Sequence, residues 1–178
     1  TLPWEWTVER DDAAETALRL EVRCRLIPFR LERTLRVRTG EATLRVEQRV
    51  TNESSAPAEF VWGEHLVLGG GFLEAGCRLD VPAGVLDTPD PVYEPATARL
   101  AAGQYEPWPL ARGTHPGERI DLRDIPGPEA HSHDDVILGD LARGEYTVTN
   151  PRLGLRFRLE WDGDLLPWIT FWLPYGGP

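Results

Sequence analysis

Leu18-Arg19-Leu20-Glu21-Val22-Arg23-Cys24-Arg25-Leu26 is the stretch that decides the fold. Apolar side chains take every second position and Arg or Glu the positions between, which is the period of a strand with one buried and one wet face. The pattern recurs at Leu31, Leu35 and Val37 and, past Thr39-Gly40, at Leu44, Val46 and Val50, predicting a hairpin closed by a glycine-containing turn. Arg45, Glu47 and Arg49 fall on the outer face, where charges can pair across strands; each exposed pair contributes only about 0–1 kcal/mol, so this is a solvated face.

Beyond the hairpin, Thr51-Asn52-Glu53-Ser54-Ser55-Ala56-Pro57 is a turn by composition, and residues 58–66 resume as an apolar, aromatic strand. Asn52-Glu53-Ser54 matches a glycosylation sequon, and the turn reading is preferred because no secretory signal begins the sequence. The expected strands are residues 18–26, 29–37, 42–52 and 58–66. Residues 69–144 are loop-rich and carry most of the prolines, a composition that on a β scaffold points to functional or mobile loops. Alternation returns with Leu153, Leu155, Phe157, Leu159 and Trp161 against Arg156, Arg158 and Glu160; Asp162-Gly163 then turns into an aromatic-rich strand at 166–173. Only residues 134–141 offer a short helix. The sum predicts an all-β, antiparallel β-sandwich in one domain, residues 1–178.

Composition narrows the partners. A net charge of −10 argues against nucleic acid, whose binding draws on clustered positive charge, and favours a neutral ligand. No run approaches the roughly 18 apolar residues of a membrane span. Each of the 19 Lys/Arg positions is arginine and methionine is absent, so a start at Thr1 suggests a sequence that begins partway along a longer chain. Cys24 and Cys77 lie in apolar alternating segments as small buried thiols, which fits a reduced, cytoplasmic protein.

His65 closes the predicted strand 58–66 ahead of Gly69-Gly70-Gly71, where it is either a structural or surface group or a proton donor near neutral pH. Its neighbour Glu64 would point to the opposite face. His131-Ser132-His133-Asp134-Asp135 has metal-ligand residue types, but no second partner stands at a characteristic spacing, so it reads as a polar loop with no metal.

Residues 44–54 followed by Pro57 and His65 resemble the aldose 1-epimerase (galactose mutarotase) family, in which a strand ending in Thr-Asn and a small polar turn with Pro are followed by a further strand that delivers a histidine before a Gly-rich, aromatic loop. The resemblance continues through Phe72-Leu73, Gly76, Arg78-Leu79-Asp80 and Val81-Pro82-Ala83, and again at 155–161 and 166–172; residues 85–144 match loosely. It implies a galactose mutarotase-like supersandwich that interconverts α and β anomers of a hexose without a cofactor, one group taking the anomeric proton and another protonating the ring oxygen. His65 would be the acid. The family's His-Gly-x-x-Arg motif is absent, although Leu2-Pro3-Trp4-Glu5-Trp6 resembles the strand that follows it, and the family's general-base glutamate would lie past Pro178. The expectation is therefore a fragment truncated at both ends that retains His65 alone of the catalytic set.

For such a sugar site Trp62, Trp108 and Trp172 are the expected cleft aromatics, since flat apolar rings cover the C–H face of a pyranose; Trp161 fits the inward core stripe. Asp121, with Asp124 near it, is the candidate sugar-binding carboxylate. Three alternatives stay open: a non-catalytic carbohydrate-binding domain on the same fold, a hexose-6-phosphate 1-epimerase, and a domain of a larger glycan-processing enzyme with related sandwich architecture. The second would need arginines converging on phosphate, and Arg78 and Arg112 lie near suitable loops without forming a cluster.

Overall fold

The computed structural model describes residues 2–69 and 71–176. The chain divides into two compact units, residues 1–62 and 63–178.

The first unit is an antiparallel meander of β1 (Glu5–Asp11), β2 (Glu15–Arg23), β3 (Phe29–Arg38) and β4 (Leu44–Asn52), hydrogen-bonded in that order. Register carries the alternation into two unlike faces. Leu18 stands opposite Val8 and Leu35, Leu35 opposite Val46, and Val37 opposite Leu44, so the apolar positions line one face. On the other face Glu21 is directly opposite Glu32, a like-charge pairing that alone would destabilise the sheet. Arg30 offsets it by reaching both carboxylates, at 3.7 and 3.5 Å, and Arg19 bridges the same two. Glu15 is nearly enclosed by Arg38 at 2.8 Å and Arg36 at 3.4 Å. The apolar face is the more exposed of the two: Trp6 is 68% and Leu44 57% exposed.

Turn chemistry sets the ends of these strands. Asp12 Oδ1 accepts the backbone N–H groups of Ala14 and Glu15, closing the β1–β2 hairpin, and Gly40 supplies the positive φ of 83° that the β3–β4 turn requires. Strand β2 stops at Arg23, three residues short of expectation, because the chain reverses through Ile27-Pro28 and the Cys24 N–H already bonds Phe29 O. Residues 58–66 are not a strand. The apolar run has the propensity but no ladder partner, and Val61 is 99% exposed.

The second unit holds β5 (Arg78–Asp80), β6 (Val85–Asp87), β7 (Tyr105–Pro107), β8 (Leu110–Arg112), β9 (Arg119–Asp121), β10 (Ser132–Gly139), β11 (Glu145–Asn150), β12 (Leu155–Glu160) and β13 (Ile169–Tyr175). A four-stranded sheet β13-β10-β6-β7 and a three-stranded sheet β12-β11-β5 share one core, with β8-β9 as a separate ribbon. Leu86, Val136 and Leu138 from the first sheet pack with Leu79, Tyr146 and Val148 from the second, the arrangement of an antiparallel β-sandwich. Phe157, Leu159 and Trp161 join that core as the alternation predicts.

Residues 134–141 are not helical, and the polar loop expected at 131–135 is largely strand. Ser132–Gly139 pairs with β13 on one side and β6 on the other, and its burial alternates: Asp134, Val136 and Leu138 point inward and His133, Asp135 and Ile137 outward. Two acidic residues at the inner and outer positions masked the period of two. Asp134 is tolerated inside because its carboxylate accepts the N–H groups of Arg99 at 2.8 Å and Leu100 at 3.0 Å and ion-pairs with Arg99 Nε at 2.7 Å.

Candidate functional site

Asp134 pins the inner side of β10 and thereby aims its odd-numbered residues outward. The pairing with β13 then does the assembly. Asp135 lies directly opposite Trp172, and His133 opposite Pro174, so a carboxylate, an imidazole and an indole share one patch of the sheet's outer face. The indole N–H of Trp172 donates to His133 Nε2, and the two rings are 5.7 Å apart between centroids. Asp135 Oδ2 is 3.7 Å from the same Nε2. The segment after residue 63 brings in a second imidazole: His65 is exposed, with its ring 6.3 Å from that of Trp172. Trp172, flanked by both histidines, is itself 54% exposed.

The same face continues along the strands. Trp168 lies over Gly139, where an added Cβ would come within 2.1 Å of the ring; glycine is what admits the indole there. Ile137 stands opposite Asp87 and Asp87 opposite Tyr105, adding an exposed carboxylate and an exposed phenol ring. Two indoles, a phenol, two carboxylates and two imidazoles therefore occupy one open sheet face. Aromatic faces can cover the apolar side of a ring while charged and polar neighbours hydrogen-bond its edge.

Electrostatically the patch is unusual at two points. Burial pushes the Asp135 carboxyl above its ordinary value; nearby His133 pulls it back, and Asp134 adds a smaller push upward. His133 has only 10% of its side chain exposed, and its Nδ1 is enclosed without a hydrogen-bond partner. Among the described residues no group of three or more His, Cys, Asp or Glu is arranged to hold a metal ion.

Of the residues singled out in the sequence, His65 and Trp172 come together here. Trp108 packs against the core of the sandwich instead, and Trp62 is the last residue of the first unit. Asp121 has both oxygens engaged by Arg123, through its guanidinium and its backbone N–H, which hold the carboxyl below its ordinary value. Asp124 pairs with Arg78 at 2.7 Å. His133, Asp135 and Trp168 were not singled out for the site. The signal that could have found them was the outward alternation of His133, Asp135 and Ile137, available once residues 132–139 are read as a strand.

These features define an all-β antiparallel protein whose second unit displays a His- and Trp-bearing sheet face. Within that class, a family model described as a domain of unknown function (DUF4432) matches residues 16–176, and the chain belongs to that family. Neither the curated proteins nor the solved structures gave a match. Among the described residues no helix is long and apolar enough to cross a membrane.

Proposed function

We propose that the outer face of the β13-β10-β6-β7 sheet binds a hexopyranose and interconverts its α and β anomers, with His65 as the acid that protonates the ring oxygen. The observation that carries this reading is the convergence of His65, His133 and Asp135 on the exposed ring of Trp172. Anomer interconversion needs only two proton transfers about one carbon, and imidazoles perform these near neutral pH without a cofactor. The resemblance of the His65 segment to aldose 1-epimerases supports the same chemistry.

An unphosphorylated sugar fits better than a sugar phosphate. Arg78 is paired with Asp124 and Arg112 with Glu106 at 3.0 Å, so neither arginine that might have gripped a phosphate is held in reserve. The carboxylates of Asp87 and Asp135 on the face would repel one. Free Cys24 and Cys77 agree with a reducing, cytoplasmic setting.

Polarimetry on freshly dissolved α-glucose and α-galactose tests the reading. The chain is expected to speed the approach to equilibrium above buffer, and His65→Gln to lose about a hundredfold to ten-thousandfold of that acceleration, the usual contribution of one acid or base. A chain no faster than buffer on either sugar contradicts it, and binding without turnover would then be the better account of the aromatic face.

A further inference from the structure

We propose that His133 is the proton acceptor of this site, taking the proton from the anomeric hydroxyl, and that Asp135 is the positioning residue that stabilises the imidazolium so formed. The proposal rests on the sugar reading above and gives its missing half: the acid His65 has a base whose ring also lies near the same indole.

The role of Nε2 follows from its partner. An indole N–H only donates, so Nε2, which accepts from Trp172, presents a lone pair there. That is the form of a base. A sugar hydroxyl seated against Trp172 replaces the indole N–H as the donor to Nε2, an exchange of one hydrogen bond for another. Once Nε2 takes the proton, the cationic ring has a carboxylate oxygen 3.7 Å from that nitrogen, an ion pair that stabilises the charge while the N–H stays directed at the sugar oxygen. Asp135 also stands to gain, because burial disfavours its charge until a cation forms beside it.

The remaining charged groups near His133 leave this pairing undisturbed. Asp134, on the same strand, faces inward and is held by Arg99, whose guanidinium also lies 5.3 Å from the centre of the Tyr175 ring on β13. The His133 backbone N–H is fixed to Thr97 O at 3.2 Å, which holds the strand from which the ring projects. From β13 the neighbour is Trp172, and the 63–69 segment brings His65 near that same indole.

The step balances without any co-reactant. His133 Nε2 removes the proton on the anomeric oxygen, the electron pair left behind forms the C1 carbonyl, the bond from C1 to the ring oxygen breaks, and the ring oxygen takes a proton from His65. The carbonyl turns over, and the reverse transfers close the ring on its other face. Each histidine ends as it began.

The test compares the full chain with His133→Gln, His133→Asn, Asp135→Asn and His65→Gln by polarimetry, with kcat and KM resolved for each and the fold of each variant checked by its NMR spectrum. Expected are a loss of about a hundredfold to ten-thousandfold in kcat for either His133 variant with KM little changed, and for Asp135→Asn a smaller loss confined to kcat with KM unmoved. Full activity in a folded His133 variant, with His65→Gln inactive, overturns the base assignment while sparing the sugar reading. An Asp135→Asn chain with kcat unchanged, or with its loss in KM alone, overturns the role of Asp135. No turnover in the unsubstituted chain overturns both readings together.

Discussion

Replacing Asp134 with alanine is expected to be among the costliest single changes in the second unit. Its side chain is 1% exposed and accepts three hydrogen bonds. Two of the donors are backbone N–H groups, of Arg99 and Leu100, and Leu100 is 2% exposed, so water cannot replace the lost oxygen there. An orphaned buried donor costs about 1–3 kcal/mol. The Arg99 guanidinium is 23% exposed and regains water and its place beside Tyr175, which discounts the third bond. The total is about 3–5 kcal/mol, in line with breaking one partner out of a buried pair. Asp134→Asn keeps an oxygen for the two amides and loses only the bond to Arg99, costing about 1–2 kcal/mol. The assay is urea unfolding followed through hydrogen exchange of the Leu79 amide, which donates to Arg123 O at 2.8 Å inside the second unit and is untouched by the substitution, so that the first unit's transition does not mix with it. A cost below 1 kcal/mol for Asp134→Ala would refute the argument that this carboxylate pins β10. Equal costs for the two variants would place the energy in the ion pair and not in the amides.

Asp135→Asn should leave the fold as stable as before or more so at neutral pH. Its folded carboxyl binds a proton more tightly than the unfolded one, so the group costs stability above about pH 3.8 and the difference between variant and parent closes below it, which unfolding curves at pH 7 and pH 3 check. Glu145, held below its ordinary value by Arg143 and then Arg158, and Glu74, held down by Arg152 and then Asn150, behave in the opposite sense. Their contribution is complete above about pH 4.5 and is lost as pH falls through their lower folded values; a stability profile that falls less steeply on acidification in Glu145→Gln and Glu74→Gln would show it. Gly139→Ala forces the far edge of the Trp168 ring aside, since the new Cβ would sit 2.1 Å from it. Because Trp168 is 59% exposed and free to turn, the expected result is weaker sugar binding by titration with less than about 1 kcal/mol lost in unfolding.

The sheets were legible where each strand has one wet face. Residues 157–161 alternate cleanly because solvent and core sort their side chains; residues 18–22 alternate in sequence between an apolar and a charged face although all five are half-buried, and strands fall at both places. Residues 58–66 misled because β propensity cannot say whether a partner strand exists, and here no ladder reaches them. Residues 132–139 misled in the other direction. A buried carboxylate at Asp134 breaks the hydrophobic period, and only the fold shows that the Arg99 and Leu100 amides satisfy it. The site followed suit. His65 and Trp172 could be named from their segments, whereas His133 and Asp135 enter only through the register that sets Asp135 against Trp172, a pairing of residues 37 positions apart. Asp121 looked available in sequence because its neutralising partner Arg123, two residues on, could equally have pointed elsewhere.

The central claim, that the outer face of β10 and β13 is a sugar site, is tested most directly by recording the Trp172 indole N–H and the His65 and His133 imidazole resonances while glucose or galactose is titrated into the chain. The account predicts saturable shifts at all three, largest at the Trp172 N–H as its bond to His133 is exchanged for one to the sugar, and absent in Trp172→Ala for the two imidazoles. Shifts confined to residues elsewhere, or three resonances unmoved at sugar concentrations that saturate ordinary carbohydrate sites, would contradict it.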